Sequence, residues 1–183
     1  MKVIGIVGMP GSGKSDAADV ARSMGIPVVV MGDIIRQEVA GSGQAIGPET
    51  LRSMMVCLRE KHGKNVVAER CIPLIRSFRS RKIVVVDGLR SLDEVKVFRR
   101  EFPNMNVIAV HSSPKTRYDR LKERRRTDDP DTWKDSYNRD RLELDIGIGE
   151  VIALADVVVS NEGSQSEFRE NMRRTLLKVA ADD

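Results

Sequence analysis

The residues between Gly8 and Ser15 carry the most specific chemical pattern in the chain. They fit the spacing G-x-x-x-x-G-K-[ST], in which Lys14 is the lysine of the pattern. Loops of this kind turn backbone N–H groups and the positive end of a helix toward a polyphosphate. Lys14 would reach the outer phosphates, and the Ser15 hydroxyl would bind Mg²⁺. The pattern predicts a phosphate loop made of Gly8, Met9, Pro10, Gly11, Ser12, Gly13, Lys14 and Ser15.

The segments that flank the phosphate loop (8–15) are of the types such a loop needs. Residues 3–7 are an apolar run typical of a buried strand, and residues 15–21 have the pattern of the first turns of a helix. The alternative is a glycine-rich turn that only joins a strand to a helix. The complete motif between these two elements favours phosphate binding.

Asp87 is a second candidate, because it ends the apolar run 83–87. Enzymes that transfer phosphoryl groups with such a loop use an acidic residue beside the first strand to hold Mg²⁺. Strands also end in Asp because this residue starts turns, so the residue type alone does not distinguish a metal-binding aspartate from a turn residue. Together with the phosphate loop, the position favours a role for Asp87 beside the metal.

Two arginines follow predicted strands at the same edge of the sheet. Arg36 lies three residues after Asp33, so that the two share a helix face, and Arg90 lies three residues after Asp87. Ligands of α/β sheets bind at the carboxyl ends of strands, and the planar guanidinium suits a phosphate dianion. A single arginine is more often a solvated or salt-bridged residue, but two favour a clamp for the phosphate of an acceptor.

Residues 115–126 form a basic run. On a helix, Arg117, Arg120 and Arg124 would share one face, which could close over phosphates and stabilise their charge. We expect Arg120 to contact the donor nucleotide and Arg124 to act in catalysis. The alternative is a solvated charge run whose cations pair with acidic neighbours.

The acidic segment 128–131 would end that helix in the way that the hinge of a lid does. Arg139 and Arg141, on the next predicted helix, are further candidates for residues of the lid. A lid is expected because water must be kept from the phosphate that is transferred.

Five apolar, β-branched runs would position these residues, and helical patterns lie between them. This alternation predicts an α/β fold with three layers, in which helices cover both faces of a five-stranded parallel sheet. The runs are 2–7, 27–31, 83–87, 106–111 and 156–160.

The chain is expected to form a single domain, 1–183, with two additions to its core. Three helical patterns lie between the second and third runs, which is more than one crossover needs. We assign 33–81 to a small helical insertion on the acceptor side and 113–149 to a lid-like helical segment. The core then comprises 1–32, 82–112 and 150–183.

Composition narrows the class of protein. Hydrophobic residues make up 40% of the 183 and charged residues 32%, and the apolar runs are too short to span a bilayer. Two cysteines without a CxxC motif indicate reduced thiols, a cytoplasmic location and no zinc site. The net charge of +4 fits either nucleic acid or phosphorylated small molecules. Because only seven residues are aromatic, we favour small molecules and regard nucleic acid as an improbable partner.

The chain resembles P-loop kinases of the nucleoside monophosphate kinase group, akin to adenylate kinase and dephospho-CoA kinase, and most of all archaeal proteins related to adenylate kinase. The phosphate loop, Gly32-Asp33-x-x-Arg36 and Asp87-Gly88-Leu89-Arg90 are similar to adenylate kinase. Residues 155–164 are similar to dephospho-CoA kinase. The proline that adenylate kinases usually have before the arginine of the third motif is absent.

This resemblance implies a P-loop NTPase fold with ATP or GTP as the donor and Mg²⁺ as the metal. It implies that Arg36 and Arg90 grip the acceptor phosphate and that Asp33 is the base for the acceptor hydroxyl. It also places Asn161 and Gly163 beside the donor base.

A kinase acting on a nucleoside monophosphate or on dephospho-CoA is therefore the expected function. One alternative is a partner-dependent NTPase or a nucleotide-binding switch without small-molecule kinase activity; no N-K-x-D motif for reading guanine occurs. A nucleic-acid protein using the basic run is another. The acceptor, the choice between ATP and GTP and the oligomeric state stay open.

Overall fold

The computed structural model describes residues 1–126 and 129–181. Their five strands form one sheet in the order β2-β3-β1-β4-β5, with every neighbouring pair parallel. The predicted five-stranded parallel sheet is confirmed, with two of the runs shortened by a residue or two. The strands are β1 (Lys2–Val7), β2 (Val28–Val30), β3 (Ile83–Asp87), β4 (Asn106–His111) and β5 (Val157–Ser160).

Nine helices are described around this sheet. Glycine or a turn ends most of them, and Pro48 and Pro114 each stand at the start of one, where proline's missing N–H costs nothing. The helices are α1 (Lys14–Ser23), α2 (Met31–Gly41), α3 (Pro48–His62), α4 (Val66–Ser77), α5 (Leu92–Glu101), α6 (Pro114–Arg124), α7 (Trp133–Ile146), α8 (Ile148–Ala153) and α9 (Gln165–Ala181).

Two apolar cores lie on opposite faces of the sheet. On one face Ile4 and Ile6 of β1 pack with α1 and α9. On the other, Val3 and Val7 pack with α2, α4, α5 and α8. Successive strand residues point to opposite faces, so a strand buried on both faces is apolar throughout. The predicted three-layer α/β architecture is confirmed.

The order of the strands brings the phosphate loop and Asp87 to one edge. β1 lies between β3 and β4, and Ile6 of β1 is paired with Asp87 at the end of β3. Because the strands are parallel, the phosphate loop after β1 and Asp87 at the end of β3 both lie at the carboxyl edge of the sheet.

Within the described residues, no helix is both long and apolar enough to cross a bilayer.

Three helices, α2 to α4, connect β2 to β3, and three more, α6 to α8, connect β4 to β5. The first group spans 31–77, where the predicted insertion is 33–81, and the second spans 114–153, where the predicted lid-like segment is 113–149. Their assignment to an acceptor side and a lid remains a prediction. Asp128 of the predicted hinge lies outside the described residues.

Candidate active site

The phosphate loop has a backbone that requires glycine at its last turn. Gly13, which precedes α1, has a φ of 105°, a left-handed conformation that L side chains rarely adopt. No side chain caps the start of α1. The first N–H groups of the helix therefore lack a capping partner at the point where the loop meets it, which suits an anion.

Lys14 folds back onto the loop. Its Nζ donates to the carbonyl oxygens of Gly8 at 2.5 Å and of Met9 at 3.2 Å. Burial lowers the pKa of Lys14 from 10.5 to about 8, against the opposing pull of the carboxylates of Asp87 and Glu143. A phosphate would offer the ammonium a stronger partner than two carbonyl groups do.

Asp87 faces the same space with one carboxylate oxygen that has no hydrogen-bond partner within the described residues. Burial is the main reason why its pKa is raised, while Lys14 pulls in the opposite direction. A buried oxygen left without a donor is costly, and it fits a site that a cation or a metal-bound water would complete.

No group of three or more His, Cys, Asp or Glu side chains in 1–126 and 129–181 is placed to hold a metal unaided. A divalent ion at Ser15 and Asp87 would therefore need phosphate oxygens and water as its remaining ligands. Mg²⁺ commonly binds in that way, with one or two protein oxygens and several waters.

A cleft of about 550 Å³ opens at this edge of the sheet. Both sides of the phosphate loop, the segment after β3, and helices α6, α7 and α9 line it. Its lining includes seven cationic and four acidic side chains, an excess of positive charge that favours a polyanionic ligand. The cations are Lys14, Arg90, Arg120, Arg124, Arg126, Arg139 and Arg169, and the acids are Asp16, Asp19, Asp87 and Glu143.

Arg90 lies in the cleft just beyond β3, as its position after Asp87 suggested. Its Nε is 3.6 Å from Glu143 of α7, and its Nη1 donates to the sulfur of Met55 on α3 at 3.8 Å. Its side chain is 40% exposed, so the guanidinium retains room for an anion. Arg90 therefore links the segment after β3 to both helical additions.

Glu94 of α5 holds the backbone of the segment after β3 that carries Arg90. It is 2% exposed, accepts the backbone N–H of Arg90 at 2.8 Å and lies 3.6 Å from Arg59 of α3. Burial raises the pKa of its carboxyl group, although the Arg90 N–H and Arg59 oppose that rise. The carboxylate thus fixes the chain on which Arg90 stands.

The three arginines of the basic run that were predicted to share a face, Arg117, Arg120 and Arg124, do not all point into the cleft. Arg120 and Arg124 line the cleft, but Arg117 does not. Arg117 points behind the phosphate loop and forms a bidentate ion pair with Asp140 of α7, at 2.8 and 2.6 Å. A shared face for these three side chains over the phosphates is therefore wrong for Arg117, because a carboxylate on the next helix binds it.

The two arginines that do line the cleft have partners there. Arg120 donates to Ser112 Oγ at 3.0 Å and to Asn161 Oδ1 at 3.3 Å. Arg124 forms an ion pair with Asp129, to which Arg139 also lies 3.5 Å away. The hydrogen bond from Arg124 is the main reason why the pKa of Asp129 is lowered. Arg141 pairs at 3.8 Å with Asp145 and does not line the cleft.

Asp33 and Arg36 share a helix face, as their spacing predicts, and form a salt bridge of 2.6 Å. Both side chains are more than half exposed, and neither lines the cleft. Asp33 is nevertheless close enough for its charge to raise the pKa of Asp87. Their roles toward an acceptor remain a prediction.

Asn161 and Gly163 do not line the cleft either. Asn161 is 6% exposed, and its Nδ2 donates at 2.8 Å to the carbonyl of Ser12 in the phosphate loop. This hydrogen bond ties Asn161 to the loop, and the roles of Asn161 and Gly163 beside a donor base remain predictions. Gly163 is exposed beside Glu167.

Several cleft residues were not foreseen, namely Glu143, Gln165, Arg169 and Asp16. Arg169 pairs with Asp16 at 2.6 Å and Gln165 donates to the same carboxylate at 3.1 Å, which joins α9 to α1 beside the phosphate loop. The strand order that brings the ends of these helices together is not visible as a local pattern. In the sequence, the only signal for Asp16 is that it directly follows the phosphate loop.

Residues 7–136 match the model of a family described as AAA domain. The UPF0200 protein of Hyperthermus butylicus is 49% identical over 177 residues, covering 97% of this chain and 94% of the relative. The UPF0200 protein of Methanococcus vannielii is 43% identical over 180 residues, covering 98% and 97%. The chain belongs to the AAA-domain family and to the UPF0200 proteins.

Solved structures share the fold of this UPF0200 chain at low sequence identity. TT1252 from Thermus thermophilus superposes with a TM-score of 0.68 at 21% identity, covering 96% of each chain. The values are 0.55 and 14% for shikimate kinase from Aquifex aeolicus, covering 99% of each chain. They are likewise 0.55 and 14% for dephospho-CoA kinase from Campylobacter jejuni, covering 97% of each. The predicted P-loop kinase-like fold is thereby confirmed.

Proposed function

We propose that this UPF0200 protein is a phosphotransferase that moves the γ-phosphoryl group of ATP or GTP to a small nucleotide-type acceptor. The observation that supports this most is that Lys14 and the unpartnered Asp87 oxygen face one cleft around the phosphate loop. Seven cations along the same cleft are suited to a polyphosphate. The fold shared with shikimate kinase and dephospho-CoA kinase supports this class of reaction by analogy.

The phosphate loop would hold the donor through its backbone N–H groups and the start of α1. Lys14 would exchange the carbonyls of Gly8 and Met9 for the outer phosphates. Ser15 and Asp87 are the residues suited to hold Mg²⁺, which when bound neutralises charge on the donor phosphates. Arg124, at the cleft wall, would stabilise charge on the phosphoryl group in transit.

The acceptor would enter from the side of Arg90, because this arginine lines the cleft beyond Asp87. An acceptor oxygen would attack the γ-phosphorus while the bond to the β–γ bridging oxygen breaks on the opposite side and the nucleoside diphosphate leaves. Where the acceptor is a hydroxyl, Asp33 is the residue that would take its proton. Asp33 and Arg36 complete the proposed acceptor site once the acceptor draws them from their mutual salt bridge. A nucleoside monophosphate or dephospho-CoA fits a cationic site of this kind. We propose a cytoplasmic location for the enzyme.

A second function has a specific observation in its favour. Within 1–126 and 129–181, Asp33 and Arg36 bind each other outside the cleft lining, so the proposed base does not face the cleft. A partner-dependent NTPase or nucleotide switch needs the phosphate loop but no acceptor site. The two functions differ in where the phosphoryl group ends.

The test follows the label of γ-labelled ATP or GTP in the presence of Mg²⁺. Separate reactions contain AMP, CMP, UMP, GMP, dAMP or dephospho-CoA, and the products are separated into labelled acceptor and inorganic phosphate. The proposal expects one labelled acceptor that is lost with Lys14→Ala and reduced with Arg90→Ala. Release of inorganic phosphate with every acceptor unlabelled would contradict the kinase and support the NTPase.

A further inference from the structure

Arg117 is a buried cation beside the cleft, and all three nitrogens of its guanidinium donate hydrogen bonds. Its side chain is only 4% exposed. Two of its nitrogens donate to the two oxygens of Asp140, Nη1 also donates to the carbonyl of Pro10 at 3.1 Å, and Nε donates to that of Ser112 at 3.2 Å. A buried arginine is tolerated when its donors are satisfied in this way, and removing one partner is costly.

These contacts join the back of the phosphate loop to the helical segment above the cleft. Pro10 belongs to the loop, and Gly11 packs so closely on α6 that an added Cβ would lie 2.7 Å from the Arg117 carbonyl oxygen. Asp140 stands on α7 between Arg139 and Glu143, both of which line the cleft. One ion pair therefore touches the loop on one side and sets the helix that carries two cleft residues on the other.

Apart from the pair with Arg117, the contacts of α7 are partly exposed: the rings of Tyr118 and Trp133 meet edge to face with centroids 5.3 Å apart, and Glu143 and Arg139 form ion pairs. Of its residues, all of which the structure describes, only Ser136 is buried, while Trp133, Tyr137, Leu142 and Leu144 are exposed. Helices in proteins are held mainly by burial of an apolar face. With so little apolar burial, the position of α7 depends largely on polar contacts, and its bidentate bond to Arg117, whose side chain is 4% exposed, also reaches the phosphate loop.

We propose that Arg117 and Asp140 are a positioning pair that couples the shape of the phosphate loop to the placement of α7. This inference rests on the proposed function in that the loop is taken to bind a nucleotide. Neither side chain lines the cleft. The pair fixes the Pro10 carbonyl and, through α7, the side chains of Arg139 and Glu143, so that breaking it loosens both walls of the cleft together.

The test compares Asp140→Asn with the matched control Asp156→Asn. Asp156 also pairs with an arginine, Arg99 at 3.0 Å, but lies at the opposite end of the sheet. Amide hydrogen exchange without nucleotide should speed up in both 8–15 and 133–146 for Asp140→Asn and in neither for the control. The affinity for Mg²⁺ with ATP, measured by titration calorimetry, should fall about tenfold for Asp140→Asn and less than twofold for the control.

Arg117→Lys is the second variant, because lysine keeps the charge but cannot form the fork. It should reproduce both effects, and Asp140→Glu should restore part of the affinity. Unchanged exchange and affinity in either Asp140→Asn or Arg117→Lys would overturn the inference, as would faster exchange confined to 133–146. A wild-type protein that binds ATP, responds to these substitutions and labels no acceptor would contradict the proposed kinase alone.

Discussion

At the scale of single residues, the chemistry of the cleft is set by Lys14 and Asp87, two groups whose burial favours their neutral forms. Burial lowers the pKa of Lys14 to about 8 and raises that of Asp87, while their mutual attraction opposes both shifts. Each charge is therefore incompletely compensated in the free protein. A polyphosphate with a divalent cation would supply the missing countercharges to both.

Proton uptake on nucleotide binding follows from the lowered pKa of Lys14. At pH 8.5 the free protein holds this lysine mostly neutral, whereas bound phosphates raise its pKa and make it take up a proton. ATP affinity should accordingly decline as the pH rises through about 8. Calorimetry at pH 8.5 in buffers of different ionisation enthalpy measures the uptake.

Lys14→Arg is the control for that measurement, because arginine does not titrate in this range. It should abolish the uptake even where some affinity remains. Equal heats of binding in all buffers for the wild-type protein would show that Lys14 is already charged and would contradict the account of its burial.

Asp87→Asn should separate stability from function. Because the folded-state pKa of Asp87 is raised above its unfolded value of 3.8, ionisation at neutral pH destabilises the fold. The variant should be as stable as the wild type or more stable at pH 7, and any gain should vanish at acid pH, where the wild-type carboxyl is protonated. Its Mg²⁺-dependent ATP affinity should fall by about 10- to 100-fold. Urea unfolding at two pH values and calorimetry measure these effects.

The matched control is Asp93→Asn, at an exposed aspartate of α5 that pairs with Lys96. It should change neither quantity appreciably, since exposed pairs contribute little. Marked destabilisation at pH 7 by Asp87→Asn would contradict the idea that this residue is retained for binding at a cost to stability.

At the scale of elements, Glu94 joins α3 of the insertion to the segment that carries Arg90. The carboxylate is buried while Arg59, 3.6 Å away on α3, is about a quarter exposed. The start of α5 is fixed as well, since Ser91 caps it by accepting the N–H of Glu94 at 3.3 Å. The insertion is therefore tied to the cleft by polar contacts in addition to the apolar core.

Glu94→Ala should lower the free energy of unfolding by about 3 kcal/mol, the lower end for a broken buried pair because Arg59 keeps some solvent contact. Glu94→Gln should cost less, since the amide oxygen still accepts the N–H of Arg90. Urea unfolding with a common m-value checks both. Glu94→Gln keeps the hydrogen bond from the Arg90 N–H and removes the charge. Equal losses for the two variants would therefore mean that this hydrogen bond contributes nothing to stability.

The elements themselves were accessible from local pattern. Apolar runs located all five strands. Pro48 at the start of α3 and Gly63 just after its end are residue types that commonly begin and end helices. The face of α6 that looks into the cleft was not accessible. The spacing of Arg117, Arg120 and Arg124 is compatible with several rotations of that helix, and Asp140 on α7, distant in sequence, decides among them.

At the scale of the whole molecule, a parallel sheet brings chemistry from distant parts of the chain to one edge. The phosphate loop and Asp87 could be placed there from sequence because the order strand, loop, helix carries its own geometry. Glu143, Gln165 and Arg169 could not, since their meeting depends on how α7 and α9 pack. The resemblance placed Asn161 beside a donor base, and its contact with Ser12 of the phosphate loop is visible only in three dimensions.

The most direct test of the central claim, that the phosphate loop binds a nucleoside triphosphate, is a calorimetric titration with Mg²⁺ and ATP. Wild type, Lys14→Ala and the control Lys96→Ala, which alters an exposed lysine of α5, would be titrated at pH 7. The account predicts binding by wild type and Lys96→Ala at the same affinity and a loss of at least about 100-fold for Lys14→Ala, since a charge-assisted phosphate contact would be removed. Equal affinity in Lys14→Ala, or no binding by the wild type, would contradict it.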